Sequence, residues 1–193
     1  MMKTFKSILM ALMAAFCLTS CTYNKLVEEE ETVNQKWADV EAQYQRRADL
    51  IPNLVNTVKG YAAHEKEALE AVVNARSRAT QITLDPSSIT PEKLQEFQAA
   101  QGEVTQALGR LIAIAENYPD LKANEQFSEL QAQLEGTENR IAESRRLYNE
   151  AVQSYNVNVR RFPNIIWAWI FNFDKKTPFA AEAGAEKAPT VEF

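Results

Sequence analysis

The chain has 193 residues, 46% of them hydrophobic and 24% charged, with five glycines and a formal net charge of -5. These values fit one domain with a substantial core, exclude wholesale disorder and favour helices over turn-rich sheets. An acidic chain without a Lys/Arg block is also no general nucleic-acid binder, because neutralising phosphates requires a basic surface.

The first segment has Lys3 and Lys6, an apolar run from Ile8 to Leu18, and small residues before Cys21. The run is shorter than the roughly 20 apolar residues that span a bilayer and suits a signal peptide over residues 1–20. Leu18-Thr19-Ser20-Cys21 resembles the lipobox of bacterial lipoproteins, which implies that Cys21 is lipidated and becomes the mature N-terminus. A plain secretory signal or a short uncleaved anchor is the alternative. More than one acyl chain would give stable anchoring, with residues 21–26 as anchor and short tether. Cys17 and Cys21 both lie here, so the body has no disulfide framework.

A first helix is expected from about Lys25 to Asp49, with Val33, Trp37, Val40 and Tyr44 three or four apart. The run Glu28 to Glu31 sits near its start, where negative charge suits the helix dipole. The same phase passes through Arg47, Ile51, Leu54, Val58, Tyr61, Ala68, Val72 and Ala75 to about Ala79. Pro52 interrupts the hydrogen-bond ladder without disturbing that phase, so the helix is expected to kink or restart there. Arg47 and Glu65 both occupy stripe positions. Either they reach water from the stripe's edge, or they form a buried polar network that sets register, with Arg145 as third member.

Gln81 to Thr90 reads as a loop around Asp85-Pro86-Ser87-Ser88. Thr90-Pro91-Glu92 is a helix start: a hydroxyl cap, a proline in the first turn, then an acid. Leu94, Phe97, Val104, Leu108, Leu111 and Ala115 follow at heptad spacing, interrupted by polar Gln101. Pro119 closes that helix at Asn117-Tyr118. Asp120 is the expected cap of a last long helix, about Ala123 to Arg161 and roughly 60 Å long. Its seam is Phe127, Leu130, Leu134, Thr137, Ile141, Tyr148, Val152, Tyr155 and Val159. The pattern predicts an all-α fold: an elongated antiparallel four-helix bundle of up-down type over residues 27–163, with coiled-coil-like spacing and a helix kinked or broken at Pro52.

Residues 164–193 differ in kind. Ile165 to Phe173 is apolar and aromatic on every side but too short to cross a bilayer. It either plugs the bundle's end or places Trp167, Trp169 and Phe171 at a membrane interface, with Lys175 and Lys176 near anionic head groups. The remainder to Phe193 reads as an extended tail.

Catalytic motifs are missing. His64-Glu65 opens like a zinc-protease helix, but Ala68 stands where the second histidine is needed, so no metal site is expected. Neither a G-x-S-x-G elbow nor a phosphate-binding glycine loop occurs. The expectation is a non-enzyme with no catalytic residues and no cofactor.

The run Arg46 to Val55 (RRADLIPNLV), then Val58-Lys59-Gly60-Tyr61-Ala62 with His64-Glu65, resembles the signature of the LemA family. Tyr118 to Asn124, Glu138 to Ala142, Arg145-Arg146 with Tyr148 to Val152, and Tyr155-Asn156 before Phe162-Pro163 carry the same likeness. The resemblance implies a membrane-anchored bacterial helical bundle facing away from the cytoplasm, with no assigned catalytic activity and no known cofactor. Members usually carry an N-terminal transmembrane helix; the shorter segment with Cys21 departs from that.

The resulting reading is an envelope scaffold or adaptor that acts by binding. Its location is periplasmic or on the outer side of the cytoplasmic membrane, with the outer membrane as a further option. Arg46, Arg47, Asp49, Asn53, Lys59 and His64 are the candidate interaction residues, because packing alone does not require those polar types beside Pro52. The expected partners are membrane lipid through the N-terminal anchor and an unidentified envelope protein, with homo-oligomerisation left open. The alternative is a self-assembling membrane-binding or membrane-remodelling protein.

Overall fold

Six helices, and no strand, form the described residues: α1 Met2–Tyr61, α2 Lys66–Gln81, α3 Pro91–Ala115, α4 Pro119–Lys122, α5 Glu125–Arg160 and α6 Asn164–Ile170. The computed structural model describes the backbone of residues 2–180 and the side chains of residues 22–180. The side chains of residues 1–21, where the signal peptide and the lipidation site are expected, and the tail beyond Ala180 therefore lie outside the described residues.

α1 and α5 form the long axis of the molecule. Asn158 donates to Glu29 near one end, Arg47 Nη1 to Glu138 at 2.8 Å in the middle, and Asn124 to the Tyr61 hydroxyl at 2.9 Å at the other. As residue numbers rise along α1 they fall along α5, so the two helices run antiparallel over roughly 50 Å. α2 and α3 pair alongside, tied at their surface by Arg78 to Glu103 at 2.9 Å and Arg110 to Glu67 at 3.5 Å.

α1 does not break at Pro52. It continues to Tyr61, and the chain reverses at residues 62–65. Pro52 is exposed and removes a single donor, which one contact from α2 replaces, as described below. The reversal comes where the apolar repeat lapses: Ala62 is buried while Tyr61 is 45% exposed, and the stripe resumes only at Ala68 and Leu69. The architecture is thus four longer helices plus the short α4 and α6. Thr90 caps α3 as expected, its hydroxyl accepting from Lys93 N at 3.3 Å. Asp120 instead lies in the first turn of α4, and Asn124 caps α5 by accepting from Phe127 N at 2.9 Å.

Two apolar clusters fill the interior. One gathers Ile51, Leu54, Val58, Val72, Val104, Leu111 and Leu134 toward the reversal. The other gathers Leu26, Val33, Trp37, Tyr44, Phe97, Ile141, Tyr148 and Tyr155 toward the leader. Between them, Arg47 on α1, Gln101 on α3 and Thr137 on α5 are buried, each where its helix's seam crosses from one cluster to the other.

Candidate functional site

The polar layer between the clusters is a network centred on Arg47, whose side chain is 2% exposed. Nη1 donates to Thr105 Oγ1 and Glu138 Oε1, both at 2.8 Å. Nη2 donates to the backbone oxygen of Gln101 at 3.1 Å and to its Oε1 at 2.5 Å. The guanidinium also lies 5.2 Å from the centre of the Tyr44 ring. A buried guanidinium is tolerated only when its donors are met and its charge is opposed; here three helices share that task.

A cleft of about 120 Å³ opens beside this network, between α1, the end of α2 and the start of α3. Tyr44, Arg47, Ala48, Arg76, Phe97 and Gln101 are among its walls. Arg76 Nε donates to the Ala48 carbonyl at 2.7 Å, so both cations facing the cleft are committed to holding helices together. Burial raises the Glu41 carboxyl at its rim above the usual range, and the nearby Trp37 indole pulls it back, although that N–H stays outside hydrogen-bond geometry. Among the described residues, no group of three or more His, Cys, Asp or Glu is placed to hold a metal.

The three residues considered for one buried network are distributed over different levels of the bundle. Arg47 has the partners just named, Glu65 accepts from the Tyr118 hydroxyl at 2.8 Å, and Arg145 lies 5.0 Å from the centre of the Phe179 ring. The six candidate interaction residues also divide. Arg46, Asp49 and Asn53 are exposed and share one face of α1. Lys59 lines a shallow groove between α1 and α2 with Val55, Ala63, Leu69 and Val73, and His64 is exposed in the reversal. Arg47 points inward.

The expected extended tail begins as a strap. Residues 173–180 run extended along α5, read by two side-chain amides. Asn156 accepts from Lys176 N at 2.9 Å and donates to Lys176 O at 2.8 Å; Asn149 does the same for Phe179 at 2.8 and 3.1 Å. Two turns of α5 rise about 10.5 Å and three extended residues cover about 10 Å, which is why asparagines seven apart meet strap residues three apart. Tyr148 donates to Thr177 O at 3.0 Å, and Thr177 Oγ1 to Ile89 O at 3.1 Å. Phe179 is buried, stacked 5.8 Å from Trp37 and edge-on to Tyr148 at 5.4 Å. No period in the sequence announces this strap; the pair Asn149 and Asn156 was its only trace.

α6 neither caps the bundle fully nor stands clear of it. Ala168 is buried and Trp167 half-buried, whereas Trp169 is 81% exposed and Ile165, Ile166, Ile170 and Phe171 are exposed as well. Tyr23 touches this end, its ring 4.9 Å from Phe171 and 5.7 Å from Phe173. Lys176 turns inward, pairing with Glu30 at 2.7 Å, while Lys175 stays exposed.

An N-terminal segment running as one helix into a helical body, strapped by residues 173–180, defines an all-α protein built on one long antiparallel helix pair. The family model described as the LemA family matches residues 36–193, and the chain belongs to that family. It is similar to magnetosome protein MamQ 2 of Paramagnetospirillum magneticum and to magnetosome protein MamQ of Magnetospirillum gryphiswaldense. Each is 27% identical over 186 residues, covering 88% of this chain and 68% of the relative. Protein LemA of Metamycoplasma hominis is 24% identical over 139 residues, covering 72% of this chain and 60% of that protein.

Proposed function

We propose that this protein is a membrane-anchored, extracytoplasmic scaffold or adaptor of the bacterial envelope that acts by binding. The observation that carries the reading is the continuity of α1: one helix leads from the leader into the body and pairs with α5 along the whole domain. A surface on α1 is thereby held at a set distance from the anchor. Among the described residues no helix is long and apolar enough to cross a membrane, so anchoring falls to the leader and Cys21. The exposed Arg46, Asp49 and Asn53 face is the recognition surface of this reading, with Lys59 and His64 at its margin.

Mass spectrometry of the N-terminal peptide of the native protein tests the anchor: a diacyl or triacyl adduct on Cys21 is expected, and cleavage without lipid removes the reading. Photocrosslinking in cells from position 53, compared with position 154 on α5, tests the surface. A discrete protein adduct is expected at position 53 and not at 154; equal, diffuse labelling at both sites would count against an adaptor.

A self-assembling membrane-remodelling protein is the second reading. The exposed apolar side chains of α6 favour its membrane contact.

A further inference from the structure

We propose that the α6 end is a lipid-binding foot, in which Phe162, Ile165, Ile166, Trp169 and Phe171 seat in the interfacial layer of an anionic bilayer. The inference rests on the anchored reading above and adds how the body meets the membrane and which lipid it prefers.

The first support is exposure. Phe162 is 77% and Trp169 81% exposed, and Ile165, Ile166 and Phe171 are each about half exposed. Only Ala168 of α6 is buried against the bundle. A contiguous apolar surface of this kind marks an interaction site, because water penalises it and nothing in the fold requires it.

The second is position. Tyr23 contacts Phe171 and Phe173, and it follows Cys21 by two residues. The apolar end is therefore the end from which the leader departs. A body held there by the leader brings the foot to the bilayer without any rearrangement of α1.

The third is chemistry. Tryptophan and tyrosine favour the boundary between acyl chains and head groups, where an apolar ring and a polar N–H or O–H are both satisfied. In a chain of net charge -5, exposed Lys25, Arg160, Arg161 and Lys175 flank this end against exposed Glu28, Glu31 and Asp174, while Glu30 is taken up by Lys176 and Glu29 accepts from Asn158. The exposed, unpaired charges around the aromatic cluster thus lean to the cationic side by one, and the Arg160, Arg161 and Lys175 group is what would meet anionic head groups. The same cations gain little at a neutral surface, which is the origin of the lipid preference.

The test reconstitutes the full chain into vesicles carrying brominated acyl chains, either phosphatidylcholine alone or phosphatidylcholine with phosphatidylglycerol. Flotation and tryptophan fluorescence are read together. Trp37 is 1% exposed inside the domain and serves as the internal unquenched signal. The expected result is flotation with loss of the Trp167 and Trp169 emission, greater with phosphatidylglycerol and removed in a Trp167→Ser/Trp169→Ser variant. Flotation without quenching overturns the foot and leaves the anchor standing. Without flotation the anchored reading fails, and the foot is then judged on vesicles added outside: quenching upholds it, none overturns it. Equal quenching in both lipids overturns the anionic preference. Lipid-free self-association abolished by Ile166→Ser/Trp169→Ser, with no quenching, assigns the surface to a second copy and overturns the proposal. An unchanged melting curve for both variants, with Trp169→Ser alone standing in should the half-buried Trp167 prove structural, separates each outcome from misfolding.

Discussion

Arg76 on α2 donates from Nε to the carbonyl of Ala48 on α1 at 2.7 Å, the acceptor that Pro52 leaves without its helical donor. In an uninterrupted helix the N–H of residue 52 would bond to residue 48. The vacancy made by the proline becomes an attachment point for the next helix, and α1 runs on. Arg76→Met is expected to cost about 1–2 kcal/mol, the range for a charge-assisted bond to a partly buried carbonyl. In a Pro52→Ala background the helix supplies its own donor, so the same substitution should cost less than half as much. Chemical denaturation of the four variants measures the coupling; equal costs in both backgrounds would refute it.

The Arg47 layer joins three helices, α1, α3 and α5. Glu138→Ala leaves a buried guanidinium without its counter-charge and is expected to cost about 1–2 kcal/mol, moderated because Glu138 is 37% exposed. Arg47→Met alone should cost about 2 kcal/mol by leaving the Gln101 side-chain oxygen and Glu138 without their donor. Arg47→Met combined with Gln101→Leu should recover much of that loss. Thermal melts of the single and double variants check this; a strictly additive double variant would show that the two side chains act independently.

Asn149 and Asn156 hold the strap by its backbone. Asn156→Ala removes two hydrogen bonds and is expected to cost about 1–3 kcal/mol. The local effect is larger than the global one, because the strap has few other backbone partners. Trypsin should therefore cut after Lys175 or Lys176 several-fold faster in the variant, while cleavage within α5 changes little. Unchanged strap cleavage would mean that Asn149, Tyr148 and Phe179 secure it without Asn156.

Burial raises the Tyr148 hydroxyl from its ordinary value of 10 to about 12. The unfolded chain then loses this proton first, so stability falls as pH rises from about 10 toward 12. Tyr155 is raised too, by burial first and then by Glu30, Asp174 and Glu29. Tyr148→Phe should be about 1 kcal/mol less stable than the parent at pH 8, through loss of the bond to Thr177 O. At pH 11 that gap should close or reverse, because the variant lacks the ionisation. Parallel unfolding curves at the two pH values decide it. Tyr155→Phe removes a buried hydroxyl with no hydrogen-bond partner, and a gain of up to about 1 kcal/mol is expected at neutral pH.

The helices were legible because their signals are local. Thr90-Pro91-Glu92 started α3 as read, and the seams of α3 and α5 coincide with the residues that are buried. Whereas Thr137 read as an ordinary member of its seam, Arg47 and Gln101 also stood out in sequence as polar interruptions of apolar seams. Their common meaning did not, because the partner of each lies on another helix; Arg47 meets Gln101 and Glu138 only once α1, α3 and α5 are in register. The reversal at residues 62–65 escaped for a related reason, since Ala, His and Glu continue a helix as readily as they end one.

By itself, then, the sequence determined the helical class, the end of α2 and the ends of α3 and α5 to within a few residues, the apolar faces and the aromatic character of residues 164–173, all set by side-chain period and by local capping and proline signals. Only the tertiary structure decided that Pro52 is bridged, that the core is divided by a polar layer, that the C-terminal segment is strapped to α5, and that the α6 aromatics face outward beside Tyr23. Each of these depends on contacts between residues 20 or more positions apart, whose free energy exists only after the chain has closed the loops between them.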